Sequence, residues 1–191
     1  MNIPRPTIPE PRVTARLLAD PHLAPLWALL RVYVGYEWLT AGWGKITNPA
    51  GVWVGEKAGA AVTGFFHGAL TKTGGEHPDV QGWYAWFLQH VAMPNAALFS
   101  YLVAYGELFV GGALILGLFT GVAAFFGGFL NANFLLAGAV STNPVLFILA
   151  TWLVLGWRVA GYLGLDRVVL PRLGVELPGA PPARDAKGAA P

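Results

Sequence analysis

The stretch AALFSYLVAYGELFVGGALILGLFTGVAAFFGGFLNANFLLAGAV, from Ala96 to Val140, decides the fold. It is almost uniformly apolar, and as a single helix it would measure about 67 Å, roughly twice a hydrocarbon layer of about 30 Å. The chain must therefore turn back within it. Gly117-Leu-Phe-Thr-Gly121 supplies the break, which predicts one span over 96–117 and another over 120–141. Downstream, Asn143-Pro144 reads as a turn and a helix start, followed by a span over 145–163. Upstream, residues 23–43 are mainly apolar and long enough for one further crossing. The expected fold class is an all-α membrane protein, a four-transmembrane-helix bundle.

Composition agrees with lipid as the solvent. The 191 residues are 55% hydrophobic and only 12% charged, with a mean hydropathy of +0.53, whereas an ordinary soluble domain is about 25% charged. A domain of this size buries only about 70% of its chain area, too little to hide that much apolar surface from water. The formal charge of +2 and the absence of a basic stripe argue against nucleic acid as a partner. Zero cysteines exclude disulfides, iron–sulfur clusters, covalent haem and thiolate catalysis. The histidines, His22, His67, His77 and His90, all fall outside the predicted spans, so no haem is expected in the bundle. No glycine-rich phosphate loop follows a strand, so flavin is not expected either.

The ends and the long connection read differently from the spans. Residues 1–22 carry Pro4, Pro6, Pro9, Pro11 and Pro21 and form a polar tail, with a short interfacial turn near Val13 to Leu18. Residues 168–191 are expected to be a disordered tail. The outer loop, 44–95, is too long to be structureless, and two short helices fit it, one over 58–71 and one carrying Val80, Trp83, Tyr84, Phe87 and Val91 on one face. Arg5, Arg12, Arg16, Arg167, Arg172, Arg184 and Lys187 flank the outermost spans, against Lys45, Lys57 and Lys72 in the loop. That asymmetry predicts an inner (plasma) membrane protein with both termini cytoplasmic.

Four ionisable residues lie inside predicted spans: Arg31 and Glu37 in the first, Glu107 in the second and Arg158 in the fourth. Each costs at least about 2.5 kcal/mol at mid-bilayer unless paired or hydrated. Two readings stay open. The residues form structural ion pairs such as Arg31 with Glu107, or they line a polar pocket for an anionic or carbonyl-bearing ligand. Asn131 and Asn133 in the third span either bridge helices or donate to a quinone carbonyl, for which Tyr33, Tyr36 and Tyr105 are further candidate donors.

Arg31-Val-Tyr-Val-Gly35, Ala41-Gly-Trp-Gly44-Lys45 and Gly106-Glu107-Leu-Phe-Val-Gly111-Gly-Ala-Leu-Ile-Leu-Gly117-Leu-Phe-Thr120 together resemble the DoxX family of small four-helix membrane proteins. The resemblance covers roughly residues 25–167. The long outer loop and the Asn-bearing third span are closer to its DoxD branch, the membrane subunit of thiosulfate:quinone oxidoreductase. The resemblance implies oxidation of thiosulfate with electrons passed to a membrane quinone, and a second, smaller partner subunit. A dianion needs cations, for which Arg31, Arg158 and Lys45 are candidates. A quinone needs an apolar slot with proton partners, for which Glu107, Glu37, Tyr36, Tyr105 and Asn131 are candidates. The alternative is a non-catalytic accessory subunit that anchors a larger membrane complex.

Overall fold

In a computed structural model, residues 11–175 and 177 are described; the far ends of both predicted tails, 1–10 and 178–191, lie outside the described residues. Among the described residues all regular structure is helical. Four long helices lie side by side: α2 (Ala24–Ile46), α5 (Ala96–Leu116), α6 (Thr120–Leu136) and α7 (Asn143–Leu155). Shorter helices dress the two ends. At the terminal end are α1 (Arg12–Ala19), α8 (Trp157–Ala160) and α9 (Asp166–Arg172), and at the opposite, cap end are α3 (Ala60–Leu70) and α4 (Gly82–Phe87).

The continuous helical run Gly82–Leu116 is, among the described residues, the one helix long and apolar enough to cross a bilayer. α6 and α7 are apolar but shorter, with 17 and 13 residues. α2 has 23 residues, and its three charges, Arg31, Glu37 and Lys45, lower its hydropathy. The run from Gly82 is continuous because α4 passes through a wide π turn at Leu88–Ala92 and a tight 3-10 turn at Met93–Asn95 before α5 begins. Pro94 explains the irregularity, since it removes one backbone donor and crowds the preceding turn.

The break at Gly117 is a left-handed cap. Gly117 has φ +65°, its N–H donates to Leu114 O at 3.2 Å, and the Leu118 N–H donates to Ala113 O at 2.9 Å. These two bonds satisfy carbonyls that the end of α5 would otherwise leave orphaned. Glycine also sets the tightest packing. A Cβ on Gly111 would lie 2.3 Å from Leu39 N, and one on Gly42 would lie 2.5 Å from Leu108 N. α2 and α5 therefore run antiparallel with their backbones in contact, a geometry that only small residues at the crossing permit.

Two expectations change and a third is extended. The fourth predicted span, 145–163, is interrupted at Gly156, where the backbone leaves helical geometry (φ −96°, ψ 20°) between α7 and the short α8; the Trp27 ring packs against this glycine where a side chain would go. Residues 168–172 of the predicted disordered tail are helical, with Leu170 buried. The short turn expected near Val13 to Leu18 is a full helix, Arg12–Ala19, tied to the bundle by Trp27 Nε1 donating to Leu17 O at 3.0 Å.

Candidate functional site

The face of α2 that points inward carries Arg31, Trp38 and Lys45 at a spacing of seven, two helical turns apart. All three reach different partners. At the terminal end Arg31, 2% exposed, donates from Nη1 to Leu114 O at 2.5 Å and Ile115 O at 3.2 Å, and from Nη2 to Leu163 O at 3.1 Å. A cation on the last carbonyls of α5 meets the negative end of that helix. Opposite it, the fully buried Asp166 accepts from Phe119 N at 2.6 Å and Thr120 N at 2.9 Å, so a carboxylate caps the positive end of α6. Arg31 and Asp166 thus clamp the two sides of the Gly117 turn. The Arg31–Glu107 pair, offered as an example of the structural reading, does not form, because Arg31 meets α5 at Leu114 and Ile115, two turns from Glu107.

Glu107, 1% exposed in the middle of α5, pairs instead with Lys45 at 2.5 Å. Lys45 also stands over the Trp53 ring, 5.0 Å from its centroid. Trp53 belongs to the connection after α2 and is held by its carbonyl, which accepts from Ser100 Oγ at 2.6 Å. It forms one wall of a cavity of about 210 Å³ that is almost wholly apolar and is lined also by Phe66, Tyr84, Phe87, Phe99 and Phe134. At the far wall the Tyr84 hydroxyl donates toward Asn133, with O and Oδ1 both at 3.1 Å. The cavity exceeds the roughly 150 Å³ that holds one benzene ring.

The remaining candidates are scattered. Tyr36 and Tyr105 are 58% and 38% exposed on the outside of the bundle, Tyr105 stacked on Tyr101, so neither reaches the cavity or Asn131. Arg158 is exposed at the terminal end, 5.3 Å over Trp157, because the helix break at Gly156 takes it out of the span. Glu37 is half-buried and has no ion-pair partner among the described residues. Asn131 is fully buried in α6. Sequence reasoning missed Asp166, Trp53 and Tyr84 as site residues. Trp38 was also missed, although its position midway between Arg31 and Lys45 at heptad spacing is a signal that places it on the same inward face.

The outward faces of the long helices carry Leu29, Phe109, Val122, Phe125, Phe126 and Trp152, each more than half exposed. A helical bundle that keeps its charges inside and turns aromatic and aliphatic side chains outward is an α-helical membrane protein. The DoxX family profile matches residues 26–140, and the chain belongs to that family, whose members sit in lipid bilayers. No curated protein and no solved structure matches the chain.

Proposed function

We propose that this chain is the membrane subunit of a quinone-linked oxidoreductase of the DoxD type, with four spans and both termini in the cytoplasm. The observation that carries the reading is the aromatic cavity whose Trp53 wall bears the Lys45–Glu107 ion pair. The apolar slot takes the ring, Tyr84 and Asn133 are the polar groups on its lining, and the Lys45–Glu107 pair behind Trp53 supplies the charge and proton that quinone reduction needs once the ring shifts toward it. Two thiosulfate dianions joining through a new S–S bond as tetrathionate release two electrons, and the quinone takes those two electrons and two protons to become quinol. Arg31 is engaged with helix carbonyls and Lys45 with Glu107. Arg158 lies at the terminal end, away from the cavity, so the dianion belongs on the second, smaller subunit, which passes electrons to the quinone in this chain.

The test is thiosulfate-dependent reduction of a soluble quinone analogue by the complex purified in mild detergent. Glu107→Gln abolishes turnover while the complex still assembles, and Val103→Trp, which fills the cavity, raises KM for the quinone. Unchanged turnover in both variants overturns the reading. The Arg31 and Asp166 clamp favours a second reading, an accessory subunit, because it assigns two buried charges to structure alone. A large assembly that keeps its activity when Glu107 is replaced would establish it.

A further inference from the structure

Two buried polar side chains on neighbouring helices, Trp38 and Asn131, have no hydrogen-bond partner among the described residues, and a third, Glu107, lies near their level on α5. Asn131 is fully buried with neither Oδ1 nor Nδ2 hydrogen-bonded, and Trp38, 3% exposed, has an unpartnered Nε1. A Cβ on Gly127 would lie 3.0 Å from Trp38 Nε1, and the Trp38 ring stacks on Phe134 at 6.4 Å between centroids. Asn131 lies one turn beyond Gly127 and one turn before Phe134, so the indole lies across it. The same Cβ on Gly127 would lie 3.1 Å from Val110 Cγ1, and one on Gly106 would lie 3.8 Å from Leu130 Cδ1. Residues 106–110 of α5 therefore face 127–130 of α6 in antiparallel register, which brings Glu107 to the level of Asn131. Glu107 accepts from Lys45 through Oε2, which leaves Oε1 as a further acceptor at this level.

We propose that bound water occupies the junction of α2, α5 and α6, accepting from the Trp38 indole N–H and joining the Asn131 amide to the Glu107 carboxylate. The donor and acceptor inventory fits water and little else. An indole offers only a donor, a carboxylate only acceptors and an amide both, so a molecule that donates twice and accepts twice closes the network. Leaving the amide and the indole dry would bury several unmet hydrogen-bonding groups at one level of the core, an arrangement that folded proteins avoid. Water here makes Glu107 a hydrated carboxyl able to exchange its proton along the inside of the bundle. The water site stands on the geometry alone; its use in resupplying a proton to quinol formation rests on the quinone reading.

The test uses the full chain and no turnover. In a double-mutant cycle of Asn131→Leu and Trp38→Phe, thermal unfolding in detergent shows each single variant lowered by about 2–4 °C and the double variant lowered by less than the sum. Asn131→Ser, which keeps a hydroxyl and leaves room for a second water, loses less than Asn131→Leu. The Trp38 indole N–H, identified by its absence in Trp38→Phe, gives an NMR cross-peak to water that disappears in Asn131→Leu. A melting temperature raised by Asn131→Leu, additive effects, or an indole cross-peak to the Asn131 amide with none to water overturns the site. Failure of the quinone assay with these results intact would leave the water site standing and remove only its role in quinol formation.

Discussion

A carboxylate buried in the middle of a helix is tolerable only with its counter-ion in place, and Glu107 shows this through Lys45, whose side chain is itself only 19% exposed. Lys45→Met leaves Glu107 uncompensated and is expected to cost about 3 kcal/mol in unfolding free energy, whereas Lys45→Met combined with Glu107→Leu recovers most of that loss. Denaturant unfolding of the three proteins in one detergent checks it; a double variant as unstable as the single would assign the loss to packing. Asp166 makes a parallel case. Its two bonds to the start of α6 are charge-assisted, so Asp166→Ala is expected to lose about 3 kcal/mol and Asp166→Asn less, because an amide oxygen still accepts one of them. These partners were not legible in the sequence. Arg31 and Glu107 could be singled out as buried charges from hydropathy alone, but choosing among partners 62 or more residues away requires the register between helices.

Whole helices depend on a few glycines. Gly111 and Gly112 are neighbours in α5 with opposite surroundings: a Cβ at 111 meets the backbone of α2, and one at 112 meets nothing within 4 Å. Gly111→Ala is expected to force α2 and α5 apart and cost about 1–3 kcal/mol, while Gly112→Ala is neutral or gains up to about 1 kcal/mol through helix propensity. Thermal melts of the two variants side by side decide it, and equal effects would contradict the close crossing. At the terminal end, Asp20 caps the turn at Pro21–Leu23 by accepting from His22 N at 2.9 Å, and that bond holds its carboxyl below the ordinary value of 3.8. A lowered folded-state pKa means that the cap is fully present above the ordinary value and is lost as pH falls through the lowered one. The Asp20 carboxyl carbon resonance is expected to titrate in that acidic window, and Asp20→Asn is expected to remove the transition. Element positions were largely legible, since apolar runs, Gly117 and Asn143-Pro144 are local signals. The break at Gly156 was not, because a lone glycine in an apolar run is compatible with a continuous helix, and its packing against the Trp27 ring belongs to another helix.

At the scale of the molecule, α1, α8, α9 and the Arg31–Asp166 clamp gather at one end, and α3, α4 and the aromatic cavity at the other. With no cysteine in the chain, single cysteines at Gly74 in the cap and Arg16 in α1 can be labelled without background. In intact cells an impermeant maleimide is expected to reach position 74 and not 16, and the reverse labelling would invert the proposed orientation. By itself the sequence determined the solvent, the apolar runs, the turn at Gly117, the helices of the long connection and the short roll of buried charges, because composition and periodicity act within a few residues along the chain. Only the tertiary structure decided that Lys45 and not Arg31 neutralises Glu107, that Tyr36 and Tyr105 face outward, and that Trp38 packs on α6 between Gly127 and Phe134. Those outcomes follow from how far one helix slides and turns against the next, which backbone contacts at Gly35, Gly42 and Gly111 set and no local pattern encodes.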